Sequence, residues 1–243
     1  MTGLAKYEYS KRELIQKSLL NTIAIVDKTC KIFQSPVPRI LIVSKQQPIE
    51  AILDIYMLNY RHFGENYVKE LVLKSSRLPE DIMWHFIGHL QRNKVRSLLT
   101  VKNLYIIESL DSIELAYLIQ KICEEMKRYV NVYIQIKTST ETTKTGINIE
   151  ESKKLVKYVL DHCPRLNFLG FMTIADNDKN KCSECFSKLV DLRARTLNWM
   201  TEQAYSTARC DLSMGMSDDF EIAITHKTNE IRIGSAIFGL RSK

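Results

Sequence analysis

The chain has 243 residues, 45% hydrophobic and 26% charged, with 35 Lys and Arg against 28 Asp and Glu and a formal charge of +7. That balance excludes a disordered chain and allows either one large α/β barrel or two ordinary domains. The charges interleave, as in Glu124-Glu125-Met126-Lys127-Arg128, which reads as solvated helix faces more than a nucleic-acid stripe and leaves attraction for anionic ligands as the more economical use of the excess. Met1-Thr2-Gly3-Leu4-Ala5-Lys6 lacks the apolar core of a signal peptide, and no apolar run reaches transmembrane length. The expectation is a cytoplasmic protein, with a mitochondrial location as the alternative, no membrane contact, and reduced thiols.

Leu14, Ile15, Leu19, Ile23, Val26 and Cys30 recur at helical intervals and predict an amphipathic N-terminal helix over about residues 8–35. Pro36 and Pro38 then precede Ile40-Leu41-Ile42-Val43-Ser44-Lys45, a β-branched run that reads as a strand buried on both faces. Lys45 stands where that strand ends. In a parallel sheet this is the ligand-binding end, where partial desolvation lowers a lysine pKa and leaves an amine able to form a Schiff base with a carbonyl. The plain alternative is a surface lysine in a loop after a core strand.

Pro48 opens a second helical stretch over residues 49–58. Within Tyr60-Arg61-His62-Phe63-Gly64-Glu65-Asn66-Tyr67, Gly64 is expected to permit a turn with Glu65 and Asn66 at its mouth. Asn66 is either a helix cap or a directional donor and acceptor beside a ligand. Further strand-like runs cover 84–88, 104–109, 130–136, 168–174, 210–215 and 230–235, and helical segments are predicted over 95–99, 111–127, 150–162 and 182–205. A last helix is expected to carry Asp218 and Asp219 in its first turn. Cys182 and Cys185 are spaced like half a zinc site or a redox pair, but no second pair completes four ligands, so no metal is expected. Eight strands, each followed by a helix-sized segment, predict one domain over 1–243, a TIM (β/α)8 barrel at 39–243 with the N-terminal helix as an extra element; a doubly wound open sheet is the alternative.

Barrels of this kind often hold a ligand phosphate in the loops after strands seven and eight. Ser213-Met214-Gly215-Met216-Ser217 supplies hydroxyls and a glycine there, and Gly234-Ser235 supplies a second close backbone approach. With the strand-end lysine these suggest a phosphorylated carbonyl compound. Arg232, two residues before Gly234, needs an acceptor in the barrel mouth. A structural bridge to Asp211 or Glu108 and a ligand role are equal alternatives.

These pieces together resemble a known family. Val43-Ser44-Lys45, Phe63-Gly64-Glu65-Asn66-Tyr67, Trp84-His85-Phe86-Ile87-Gly88-x-Leu90-Gln91-x-Asn93-Lys94, Lys144-x-Gly146, Gly170-x-Met172-Thr173-Ile174, Leu212-Ser213-Met214-Gly215-Met216-Ser217-Asp218-Asp219 and Arg232-Ile233-Gly234-Ser235-Ala236-Ile237-Phe238-Gly239 resemble the pyridoxal phosphate homeostasis proteins. The resemblance implies a barrel like the N-terminal domain of alanine racemase, with pyridoxal 5′-phosphate held as a Schiff base on Lys45. It implies that Ser217, Gly234 and Ser235 hold the phosphate, with Met216 and Ser213 beside them, that Arg232 faces the pyridine nitrogen, and that Asn66 lies near the ring. Met172 and Lys144 are looser neighbours. One departure is Asn59, where the family usually has glycine; asparagine is the best substitute in a left-handed conformation. Cys182 and Cys185 belong to no family motif.

An arginine at the pyridine nitrogen disfavours its protonation and makes the cofactor a weaker electron sink than an aspartate partner would. Racemases of this fold add a second domain and a tyrosine base from a partner subunit, whereas this sequence runs to Lys243 directly after its barrel. The expectation is a reversible carrier of pyridoxal phosphate in cofactor homeostasis, monomeric, without turnover and without nucleic-acid partners, passing the cofactor to apo-enzymes that depend on it. A low-activity amino-acid racemase using Lys45 as its base is the alternative. A Schiff-base aldolase on a phosphosugar is disfavoured, because aldolase lysines usually lie on a later strand.

Overall fold

A strand such as Arg39–Val43 (β1), apolar over Ile40 to Val43, needs a neighbour on each edge and cover on both faces. In the computed structural model, which describes residues 3–141, 144–205 and 209–239, it has both. The domain limits expected at 1 and 243, and residues 142 and 143 of the polar loop at 137–146, lie outside the described residues. β1 pairs in parallel with His62–Glu65 (β2) on one side and with Glu230–Ile233 (β8) on the other. Met83–Phe86 (β3), Leu104–Leu110 (β4), Val130–Gln135 (β5), Leu166–Met172 (β6) and Asp211–Met216 (β7) close the ring in chain order. The expected barrel is found, and the open sheet is not.

Alternation along each strand divides the interior from the helix-covered outside. Ile42, Phe63, Trp84, Ile107, Val132, Leu212, Ile231 and Ile233 belong to the large apolar cluster shared with the helices. The alternate positions turn inward, where Ile106, Tyr133 and Met172 form a separate small cluster and the polar His85, Glu108, Ser213 and Arg232 are buried beside it.

The helices are Gly3–Ile32 (α1), Ile49–Tyr56 (α2), Val68–Ser75 (α3), Val95–Leu98 (α4), Ile113–Glu125 (α5), Ile149–His162 (α6), Lys179–Glu202 (α7), Phe220–Thr225 (α8) and Ser235–Phe238 (α9). α1 packs on α2, α8 and α9, across the place where β1 meets β8. Its Ile15, Leu19, Val26 and Cys30 are buried as the periodicity requires, but Leu14 is 63% exposed and falls off the stripe. α2 stops at Tyr56, short of residue 58, and Asn59 has the left-handed φ of +70° expected of it.

Two local expectations are corrected. Gly64 lies within β2 and makes no turn; a Cβ there would stand 3.2 Å from both Leu41 Cδ2 and Ile87 Cδ1, so its missing side chain is a matter of packing inside the barrel. Asp218 and Asp219 precede α8, which begins at Phe220, because the Asp219 carboxylate folds back to accept the Met216 amide at 2.5 Å and closes a turn before the helix.

Candidate functional site

A parallel barrel puts the C-terminal ends of all its strands on one face, and the loops there can converge on a ligand. Lys45 follows β1 by two residues, Asn66 follows β2, Ile87 follows β3, Met172 ends β6, Met216 ends β7 with Ser217 just after it, Arg232 is the penultimate residue of β8, Gly234 follows β8 and Ser235 opens α9. These residues, with Val43, Ile174 and Asp218, line one cavity of about 380 Å³. Lys45 is half-buried there. Every site residue expected from the sequence lies in this lining except Ser213 and Lys144. Ser213 is wholly buried beneath it, and Lys144 donates to Asn177 Oδ1 at 3.2 Å outside it.

The loops after β7 and β8 are joined at the hydroxyl of Ser217, which accepts from the amides of Gly234 at 3.3 Å and Ala236 at 3.2 Å. Two main-chain donors are thereby gathered at the start of α9, where an anionic oxygen would be well received. Asn66 is not the helix cap, since the residue before α3 is Tyr67. Its Oδ1 is instead buried without a hydrogen-bond partner. Gly88 holds it there: a Cβ on Gly88 would lie 2.1 Å from the Asn66 carbonyl oxygen, so only glycine lets the loop after β3 press on this backbone.

Arg232 enters the cavity from below and is 4% exposed. Neither direct bridge expected for it is present. Nη1 donates to Ser213 Oγ at 2.9 Å and Nη2 to the Thr173 carbonyl at 2.7 Å. Asp211 is engaged at the other end of β7 by Arg209, and Glu108 is reached only through Ser213, whose Oγ donates to Glu108 Oε2 at 2.7 Å.

Below Glu108 the polar interior continues. His85 Nδ1 lies 2.6 Å from Glu108 Oε1, a contact in which an ionised carboxylate can only accept, which assigns the ring proton to Nδ1, and His85 Nε2 lies 2.9 Å from His62 Nδ1. Burial pulls His85 down to about 4 and, with His85 and Arg39 alongside, His62 down to about 3, so both rings are neutral. Glu230 is pushed up to about 7, first by burial and then by the Glu108 carboxylate. His85, Glu108 and Glu230 place ligand atoms within 4.8 Å of one another. A metal ion there would meet Arg39, 3.1 Å from Glu230, and Arg232 one hydroxyl beyond Glu108, so the group is a hydrogen-bonded cluster rather than a metal centre. Cys182 and Cys185 are buried against the Asp176 and Thr138 carbonyls, and burial pushes the Cys182 thiol up to about 11.

Sequence reasoning missed Val43, Ile87 and Ile174 as cavity walls and His62, His85 and Thr173 beneath them. The strand ends pointed to the walls, and in the layer below only Ser213 and Glu108 were singled out, Glu108 as a direct partner of Arg232 and not as one reached through Ser213.

A half-buried amine, a cationic floor and paired main-chain donors suit a small anionic carbonyl ligand, and comparison with known proteins narrows the choice. Residues 26–242 match the family model of the alanine racemase N-terminal domain. The pyridoxal phosphate homeostasis protein of Caenorhabditis elegans is 38% identical over 241 residues, covering 94% of this chain and 97% of that protein, and the one from Schizosaccharomyces pombe is 39% identical over 202 residues, covering 82% of each. The chain belongs to the alanine racemase N-terminal domain family, among its pyridoxal phosphate homeostasis proteins. A solved structure of PipY from Synechococcus elongatus with pyridoxal phosphate bound superposes with a TM-score of 0.73 at 28% identity, covering 88% of this chain and all of that one. Among the described residues no helix is long and apolar enough to cross a membrane.

Proposed function

We propose that this protein binds pyridoxal 5′-phosphate reversibly, with its aldehyde carbon as a Schiff base on Lys45, and serves cofactor homeostasis by buffering and handing on the cofactor. The observation that carries the reading is the convergence in one cavity of Lys45, Arg232 and the Ser217–Gly234 cradle, whose hydroxyl also takes the Ala236 amide. The residues present fit the cofactor: the Asn66 Oδ1 awaits a donor, the gathered amides suit a phosphate, and the guanidinium suits an unprotonated pyridine nitrogen. When bound, the cofactor supplies an aldehyde for reversible imine exchange and a pyridine ring for delocalising electrons.

The chain's own part is to hold. Met172, Ile87 and Ile174 wall the cavity with apolar surface, Ser217 and Ser235 offer hydroxyls at the phosphate end, and Arg232 keeps the ring nitrogen from taking a proton. That arrangement favours retention over carbanion chemistry, so carriage without turnover is the reading, with apo-enzymes as recipients and a monomeric state. The racemase alternative draws on the family fold and on Lys45 as a base.

The deciding experiment is borohydride reduction of protein loaded with pyridoxal phosphate, followed by peptide mapping, with an L-to-D amino-acid conversion assay alongside. A visible band lost on reduction, label on the Lys45 peptide, and transfer to an apo-enzyme without racemisation are expected. Label elsewhere, or none, overturns the assignment; saturable racemisation abolished by Lys45→Ala moves the protein to the enzyme class.

A further inference from the structure

A buried arginine needs a counter-charge, and among the described residues the Arg232 guanidinium donates to a hydroxyl and a carbonyl and not to a carboxylate. Its negative partner is one step removed. Ser213 Oγ receives from Arg232 at 2.9 Å and donates onward to Glu108 Oε2 at 2.7 Å, while Glu108 Oε1 accepts from His85 Nδ1 at 2.6 Å. A neutral His85 protonated at Nδ1 accepts at Nε2, so His62 must be the donor in their 2.9 Å contact. Every proton in this run points toward Glu108. The run begins at His62, the first residue of β2, and ends in the cavity at the opposite end of the barrel.

We propose that Glu108 is the positioning residue of the cavity floor: through Ser213 it fixes the Arg232 guanidinium and balances the charge that Arg232 presents to the ring nitrogen of a bound pyridine. The inference rests on the reading that Lys45 holds pyridoxal phosphate with its ring toward Arg232. Glu108 is faced by His85 from β3, Ser213 from β7, and Glu230 and Arg232 from β8, with Tyr133 of β5 and Arg39 of β1 within electrostatic reach. Of these, Arg232 alone also lines the cavity, so an effect of Glu108 on the ligand has its route through that side chain.

The test is a pH titration of the visible band of cofactor-loaded protein in four forms: wild type, Glu108→Gln, Arg232→Gln and the double variant. Removing the carboxylate leaves the guanidinium charge unbalanced and disfavours protons on the ligand, so Glu108→Gln is expected to move the band's pH midpoint down by about one unit. In the Arg232→Gln background the same change is expected to move it by less than about a third as much. Equal shifts in both backgrounds, or none in either, overturn the inference. Should Glu108→Gln lose its far-UV circular dichroism, Ser213→Ala breaks the link with the carboxylate in place and runs the same cycle, with the same outcomes deciding. A wild type with no band overturns the parent reading and this inference with it, a result distinct from a normal band with an inert cycle.

Discussion

The Lys74 ammonium donates to the Ser44 carbonyl at 2.8 Å, the peptide that leads directly into Lys45. The same ammonium meets Glu65 Oε1 at 2.8 Å and Glu70 Oε1 at 2.6 Å, Ser44 Oγ donates to Glu65 at 2.7 Å, and the Gln46 amide just beyond Lys45 donates to Glu70 at 2.6 Å. The residues on both sides of Lys45 are thus tied to one buried ionic cluster. Lys74→Met leaves the Glu65 carboxylate without its cation and is expected to destabilise the protein by about 3–5 kcal/mol, read from urea midpoints. The double change Glu65→Gln with Lys74→Met should recover about half of that loss, because no charge is then stranded.

Asn66 presents the opposite case, an acceptor that is buried and unmet. Asn66→Ala removes a desolvated oxygen that contributes no hydrogen bond to the fold, so thermal stability is expected to stay level or rise by up to about 1 kcal/mol. Affinity for pyridoxal phosphate, followed by fluorescence titration, is expected to fall about tenfold.

The Ser217 hydroxyl binds the amides that the phosphate would share. Ser217→Ala is therefore expected to weaken pyridoxal phosphate binding by about tenfold and to leave pyridoxal, which lacks the phosphate, within about twofold of wild type. Equal losses for both ligands would place Ser217 away from the phosphate.

Glu230 makes stability depend on pH with a definite sign. Its folded pKa is raised to about 7 from the ordinary 4.5, so the unfolded chain releases this proton first. The contribution is fully present below about pH 4.5 and is lost as pH rises through 7, an effect on the order of 3 kcal/mol. His85, held down to about 4, acts in the other direction: its contribution is present above about 6.5 and declines as pH falls toward 4. Denaturant midpoints in wild type should fall between about pH 6.5 and 7.5, where the Glu230 effect is no longer offset by His85, and level off above, whereas Glu230→Gln should be flat across that interval.

The barrel was legible because each strand is an apolar run ending in polar residues, and the cavity was legible because Lys45, Ser217, Arg232 and Gly234 stand at those ends. The interior layer was not. His85 sits in the aromatic run from Trp84 to Phe86 and reads there as one more ring, and Glu108 reads as the polar end of an apolar strand; their meeting with Ser213, 105 residues beyond Glu108, is a product of ring closure that no local pattern encodes. Lys74 carries no local signal at all, because its burial comes from the ends of β1 and β2 lying side by side, where it meets the Ser44 carbonyl and Glu65. Gly64 shows the converse error, where local turn chemistry gave way to the space left between Leu41 and Ile87.

The seam where the ring closes has a kinetic consequence. β1 takes one set of partners from β8, with Arg39 opposite Glu230 and joined to it by an ion pair spanning 191 positions of sequence. During synthesis the strand that leads to Lys45 therefore waits, open along one edge, until almost the whole barrel has been made, because such a distant pairing is the slowest contact to form. Arg232, Gly234 and Ser235 arrive with that final strand. A nascent chain halted before residue 230 has the lysine but no floor and no cradle, so competence to take up a ligand is acquired in one late step.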